Sequence, residues 1–275
     1  MVVSGTPVLV DFERSVLSAE EIAASGGASL VARPDRPGIV KRMLHPANTQ
    51  APRIAQRMVE LLLADAGTTG RRPRILVIGG GTVGDGLEAL YADDRVDLVA
   101  FDVYASANVQ LIGDGHQIPL ADGVMDGVII QAVLEHVLEP VVVVGEIRRV
   151  LREGGVVYAD TPFMQQVHEG PYDFTRFSES GHRYLFRDFE QVESGQVAGA
   201  GTSLRWSINY FVRALTRSVA LGRIAGLAFF WLSHLDRVLD AGHSLDGANS
   251  VYFLGRRGGP VMTPPQVIEH YRGGM

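Results

Sequence analysis

Between Thr161 and Phe177 the chain gathers His168, Glu169, Tyr172, Asp173 and Arg176 among aromatic and small polar neighbours. An imidazole with an unperturbed pKa of about 6.5 changes charge close to neutrality, which gives His168 the chemistry of a general base for a hydroxyl proton. Glu169 or Asp173 would orient that ring or replace it. The same side chains suit hydrogen bonds and an ion pair that tie the loop together, and both readings stand. Phe163, Tyr172 and Arg176, with Trp206 and Tyr210 further on, are the residues expected to touch a substrate. No metal spacing of the His-Glu-x-x-His type occurs, so no metal is expected.

A second group sits earlier. The run Arg74-Ile75-Leu76-Val77-Ile78 reads as a buried parallel strand, Gly79-Gly80-Gly81-Thr82-Val83-Gly84 as a turn, and the residues from about Asp85 as a helix. A second strand ends at Asp102. Such a unit brings backbone N–H groups and a helix N-terminus up to a nucleotide-like ligand, with the acid placed for a ribose diol. Its spacing Gly79-x-Gly81-x-x-Gly84 is also a dinucleotide fingerprint.

The elements that must position these groups follow in order. Ser18-Ala19-Glu20-Glu21 opens a short helix that Gly26-Gly27 stops, and Pro34, Pro37 and Pro46 make a loop. Ile54, Ala55, Met58, Val59, Leu61 and Leu62 recur at helical spacing over Pro52 to Asp65. Gly67 to Pro73 is a polar loop. Short strands are expected at Asn108 to Ile112, Asp126 to Gln131, Val156 to Asp160 and Phe189 to Val197, with a final one at Val251 to Gly255. Helices are expected at Pro140 to Leu151, at Gly181 to Phe186, and over most of Trp206 to Leu239. Pro264-Pro265 and Gly273-Gly274 read as a loose tail. Asp126 reads as a strand-start residue.

Composition excludes several classes. A net charge of −6 and a pI near 5.7 argue against a broad nucleic-acid-binding face. The absence of cysteine removes disulfides and thiolate metal sites. Met1 to Val10 does not read as a signal peptide, and Ile224 to Leu232 is far shorter than the roughly 20 residues of a spanning helix, so a soluble, cytoplasmic protein is expected. Arg205, Arg213 and Arg217 fall together on one side of the helix from Trp206 to Val219. That helix is read either as a cap with its arginines in solvent or as a peripheral contact with an anionic membrane. Phe229-Phe230-Trp231 reads as core, an apolar acceptor pocket or a homodimer contact.

From Gly113 onward four motifs recur in a fixed order: Gly113-Asp114-Gly115-His116-Gln117-Ile118-Pro119-Leu120, Met125-Asp126, Leu134-Glu135-His136-Val137-Leu138-Glu139-Pro140, and Glu146-Ile147-Arg148-Arg149-Val150-Leu151-Arg152-Glu153-Gly154-Gly155. Together they resemble class I S-adenosylmethionine-dependent methyltransferases, most closely the small-molecule "methyltransferase domain 11" group. The resemblance covers about Arg74 to Phe163. It implies an α/β, doubly wound, Rossmann-like seven-stranded sheet with its last strand antiparallel. It also implies a cofactor site at the C-terminal ends of the first four strands. In that site Gly79, Gly80 and Gly81 would approach the methionine part of S-adenosylmethionine, Asp102 the ribose, and Asp114 with Gly115 the adenine. Gln131 and Ala132 would line the sulfonium region, and His136 would serve the site or the structure. The family's glycine motif usually carries an acid where this chain has Val77, and lacks the extra residue at Thr82-Val83.

The expected organisation is an N-terminal helical extension or lid (1–70), a cofactor-binding core (71–200), a helical cap (201–248), and a final strand with tail (249–275). The expected reaction is methyl transfer to a small-molecule or glycan acceptor, more at oxygen than elsewhere, leaving S-adenosylhomocysteine. The rivals are an NAD(P)-dependent Rossmann oxidoreductase and a non-catalytic relative that acts as a partner subunit.

Overall fold

The computed structural model describes residues 1–29, 48–66 and 70–274; the loop expected around Pro34, Pro37 and Pro46, and residues 67–69, lie outside them. In chain order the elements are β1 (Val2–Val3), β2 (Thr6–Leu9), α1 (Ala19–Ala24), α2 (Gln50–Ala66), β3 (Arg74–Ile78), α3 (Glu88–Tyr91), β4 (Asp97–Asp102), β5 (Leu111–Gly113), β6 (Met125–Gln131), α4 (Pro140–Val150), β7 (Leu151–Pro162), α5 (Glu179–Leu185), β8 (Phe189–Ala198), α6 (Ala200–Thr216), α7 (Val219–Ala228), α8 (Leu232–Leu235), α9 (Ala241–Leu245), β9 (Ser250–Arg257) and α10 (Pro264–Glu269).

Successive strand residues face opposite sides of a sheet, so an apolar run such as Ile75 to Ile78 must be covered on both. It is. Leu76 and Ile78 meet Val143 and Ile147 of α4 on one face, while Ile75 and Ile129 meet Ile54, Met58 and Leu62 of α2 on the other. The strand order is β1-β2-β5-β4-β3-β6-β7-β9-β8. Strands β3 to β9 give the expected seven, and β9 runs antiparallel to both neighbours. Parallel neighbours β3, β4 and β6 bring their C-terminal ends to one edge, where ligands bind in open α/β sheets.

Several expectations need correction. The N-terminal segment is not only helical: β1 and β2 form a hairpin that extends the sheet, with β2 parallel to β5. The helix expected from Asp85 shrinks to the single turn of α3, because Gly86 sits at φ +86° and packs against Pro52, so the chain turns there before it can coil. Strand β7 starts at Leu151 and bulges between the Met125 and Gly127 pairings, rather than beginning at Val156. The tail is anchored. Pro264 opens α10, Thr263 and Gln266 close a capping box, and His270 Nε2 lies 2.8 Å from Glu179 Oε1.

The helical cap lies between β8 and β9 in the chain. Its first helix is fixed by Asp236, which accepts from the N–H groups of Gly199 (3.0 Å), Gly201 (2.7 Å) and Thr202 (3.2 Å), and from Thr202 Oγ1 (2.6 Å). A carboxylate at a helix N-terminus satisfies orphan donors and suits the helix dipole. Thr202 and Arg205 are thereby held over the sheet edge.

Candidate active site

A cavity of about 770 Å³ opens at the C-terminal ends of β3, β4, β6 and β7. That is within the usual range for a small-molecule site. One half lies over β3, β4 and the Gly113–His116 turn; the other lies between the loop after β7 and the cap. Residues 16–29 roof the first half.

In the first half Gly79 turns at φ +76°, and a Cβ there would lie 2.3 Å from Val133 Cγ2, so only glycine brings the backbone this close. Gly79 lines the cavity. Gly80 and Gly81 do not: the Gly80 N–H bonds to Phe101 O (3.0 Å), and the Gly81 N–H donates to Asp102 Oδ2 (2.8 Å). Those two glycines shape the turn and hold the acid. Asp102, buried at the end of β4, also accepts from the Val103 N–H (2.7 Å). Its carboxylate reaches the lining, an acceptor-only group suited to a pair of hydroxyl donors.

Asp114 accepts from Ser15 Oγ, from the His116 N–H (2.9 Å) and from His116 Nδ1 (2.7 Å). The His116 tautomer follows from Glu139, whose N–H donates to His116 Nε2 (3.2 Å). Burial works to raise the Asp114 pKa, but Ser15 and His116 outweigh it and hold the carboxyl below its usual range. Three of about four lone-pair positions are taken, which leaves one for an incoming amine. Gly115 and Ala132 also line the cavity, and Ala132 holds a left-handed φ of +52° with its N–H on Asp160 O (2.9 Å). The first half thus fits an adenosine-bearing ligand: a diol acceptor, an amine acceptor and a close backbone approach in one groove.

The second half holds groups the sequence reading missed. Asp160, at the end of β7, is buried, and Gln131 Nε2 donates to its Oδ2 (3.3 Å) and to Asp85 O (3.2 Å). Burial pushes the Asp160 carboxyl up to about 7. Glu135 is fully buried with no hydrogen bond to either carboxylate oxygen, and burial, with Asp160 adding to it, pushes its pKa up to about 8. Glu135 Oε1 lies 3.5 Å from His136 Nε2 and 3.8 Å from His168 Nε2. The signal was available in the Glu-His pair next to a sheet edge; what sequence could not give is the return of the 161–177 loop, whose Phe174 and Thr175 N–H groups both bond to Glu135 O (2.8 and 3.3 Å).

His168 and Glu169 therefore line the cavity as expected, as does Tyr172. Asp173 and Arg176 lie behind the lining and tie the loop. Arg176 Nη2 donates to Asp173 Oδ2 (2.8 Å), its Nε donates to Gln165 O (2.8 Å), and Asp173 also accepts the His168 N–H (2.9 Å). Burial works against Asp173, yet Arg176 and that N–H hold it at about 2. Burial lowers the pKa of His168, and the neighbouring His136 adds to the effect.

Phe163, Trp206 and Tyr210 do not line the cavity. Phe163 packs with Leu245, Ala248 and Val251; Trp206 stacks on Tyr210, whose hydroxyl donates to Val167 O. Arg205, expected beside Arg213 in solvent, is instead buried in the cavity wall with Nη1 on Ser233 Oγ (3.2 Å). Sequence periodicity placed the three arginines on one face, but the cap turns the first of them inward.

Comparison with known proteins adds one direct match. Residues 82–159 match the family model "Methyltransferase domain". No curated protein matches the chain. Among solved structures, the [4+2]-cyclase SpnF is 17% identical, with 87% of this chain and 91% of that one covered and a TM-score of 0.48. The 1,6-didemethyltoxoflavin-N1-methyltransferase of Burkholderia thailandensis is 13% identical over 74% of this chain and 78% of its own, TM-score 0.42. Phosphoethanolamine N-methyltransferase 2 of Haemonchus contortus is 14% identical over 72% and 53%, TM-score 0.42.

Proposed function

With residues 82–159 forming a methyltransferase domain of the S-adenosylmethionine-dependent kind, we propose that this enzyme methylates a small hydroxylated acceptor, a phenol or a glycan, at oxygen. The single observation that carries the oxygen reading is the convergence of His136, His168 and Glu135 on the cavity half next to Asp160. S-adenosylmethionine supplies the activated methyl group. Asp102 receives the ribose hydroxyls and Asp114 the adenine amine, while Gly79 and Ala132 give the backbone approach. The acceptor oxygen sits against the histidine pair, which positions it in line and provides for loss of its proton. Asp160 lines the cavity beside Gln131, where a cationic sulfonium would favour its charged form. Tyr172 and Arg205 bound the acceptor.

The oxidoreductase reading loses its footing, since α3 is a single turn with no extended dipole to meet a pyrophosphate. The reaction is tested by incubating the protein with S-adenosylmethionine and a panel of phenols, hydroxylated glycans and amines, and following S-adenosylhomocysteine. Turnover with hydroxyl acceptors, lost in His168→Ala, is expected; turnover with amines alone would overturn the oxygen assignment.

A surface contact follows from the cap. No acidic residue occurs from 194 to 235, a span that carries Arg213, Arg217 and Arg223 beyond the buried Arg205, in a chain of net charge −6. Phe211, Leu215 and Ile224 stand 60–72% exposed on the α6–α7 hairpin. No helix among the described residues is long and apolar enough to cross a membrane. Apolar side chains beside arginines without acids suit an anionic lipid surface. Co-sedimentation with phosphatidylglycerol vesicles but not with phosphatidylcholine vesicles is expected, and equal recovery with both would contradict it.

A further inference from the structure

The arrangement of Glu135, His136 and His168 has a feature that base catalysis does not need. His136 Nδ1 lies 2.6 Å from Tyr172 O, a carbonyl that only accepts, so Nδ1 carries the proton and Nε2 the lone pair. His168 Nδ1 has Asp173 Oδ2 at 3.3 Å and Gln166 O at 3.4 Å, which only accept, and the Gln165 side-chain amide at 3.3 Å, so two acceptors favour a proton on Nδ1 against one donor. Its Nε2 is likewise left as a lone pair. Both Nε2 atoms and Glu135 Oε1, which has no hydrogen-bond partner, lie within 4.8 Å of one another in the cavity wall. With Glu135 ionised, these three atoms are all acceptors, with no donor among them. Two ligands each about 2.1 Å from a shared ion stand about 3 to 4 Å apart, which matches the 3.5 and 3.8 Å separations of Glu135 from the two histidines. Glu169 Oε2, 3.9 Å from His136 Nε2, stands beside the group.

We infer that Glu135, His136 and His168 bind one divalent transition-metal ion at the floor of the acceptor half, with coordination positions left open to the cavity. Two imidazoles and a carboxylate select zinc, manganese, iron, cobalt or nickel over the all-oxygen preference of magnesium and calcium. Backbone and carboxylate acceptors on the Nδ1 atoms are the outer contacts that fix ring orientation around such ions. An ion also removes the cost of a buried, unbonded carboxylate. In the methyl-transfer reading, on which this role rests, the ion would hold the acceptor hydroxyl as a Lewis acid and make its proton easier to release to solvent. His168 then acts as a ligand, and an acceptor with two adjacent oxygens would fit the open positions best.

The test uses the full, untagged chain after chelator treatment and dialysis, titrated separately with Zn²⁺, Mn²⁺ and Co²⁺ by calorimetry, with Co²⁺ also followed by its visible absorption. One ion per chain is expected. Glu135→Gln, His136→Ala and His168→Ala should each weaken binding at least about tenfold, judging from the effect of even outer-contact changes. His243→Ala, at an exposed position on α9, should leave it unchanged. Circular dichroism confirms that each variant folds, and any two of the three suffice. The inference is overturned if none of the three ions binds saturably, or if His136→Ala and His168→Ala both bind as the parent does. S-adenosylmethionine titrated in parallel separates the two ideas: cofactor binding without cation binding removes the metal site and leaves methyl transfer standing.

Discussion

Two buried carboxylates bracket strand β6 and could hardly be treated more differently. Asp126, at its start, accepts from Arg71 Nη1 and Nη2 (2.7 and 2.9 Å), from Arg152 Nε (2.7 Å) and from the Arg74 N–H (2.8 Å). Glu135, shortly after its end, is more deeply buried, and neither of its carboxylate oxygens has a hydrogen-bond partner. Burial acts to raise both. At Asp126 the arginines outweigh it and the pKa falls below the usual range, while at Glu135 nothing outweighs it and the pKa climbs to about 8. The fold satisfies its polar groups at the end of the sheet that only has to hold together. At the end that has to meet a ligand, Asp102 and Asp114 are partly satisfied and Glu135 is left without a partner.

The difference can be broken from either side. Replacing Glu135 with Gln should cut methyl transfer at least about 100-fold while leaving the thermal midpoint unchanged or higher, because a neutral amide is cheaper to bury than an unpaired acid. Turnover and calorimetric melting on the same sample check this. Asp126→Ala should do the reverse: it strands Arg71 and Arg152 and costs about 2 kcal/mol of stability, less than a fully buried pair because both arginines are part-exposed. Its turnover per folded molecule should match the parent. Denaturant titration measures the loss.

Smaller effects sharpen the picture. Asp102→Ala removes the acceptor expected to meet the ribose hydroxyls, so S-adenosylmethionine affinity should fall about 10- to 100-fold, in keeping with a charge-assisted hydrogen bond. An unchanged dissociation constant would sink that assignment. The Asp126 pKa is depressed on folding, so its stabilisation is complete above its unfolded value of about 3.9 and is lost as pH falls through the lower folded value. Parent and Asp126→Ala should accordingly converge in stability under strong acid and diverge above about pH 4. The smallest effect belongs to Ala132→Gly, which relieves a left-handed φ of +52° and should change stability by less than about 1 kcal/mol, in the favourable direction.

Much of this arrangement was legible beforehand. The apolar runs at 75–78 and 127–130 and the spacing along α2 identified strands and a helix because burial on known faces leaves a periodic trace. Asp102 could be singled out because it ends a short strand, and Asp114 because its Gly113–Leu120 run resembles the methyltransferase motif; both line the cavity. What failed depended on contacts distant in sequence. Nothing local marks β2 as a partner of β5, or Ser15 as the donor that closes over Asp114. Arg205 looked solvent-facing until the cap's fold turned it inward. Glu135 was hidden for the same reason: its burial depends on the 161–177 loop folding back over it, which is a tertiary fact.

The most direct test of the account is a calorimetric titration of the purified protein with S-adenosylmethionine, S-adenosylhomocysteine and NADH in parallel, repeated with Asp102→Ala. Binding of the first two, absent for NADH and weakened in the variant, is the result expected from an adenosine groove built on Asp102 and Asp114. Binding of NADH alone, or no binding of S-adenosylmethionine in the presence of acceptor, would contradict it.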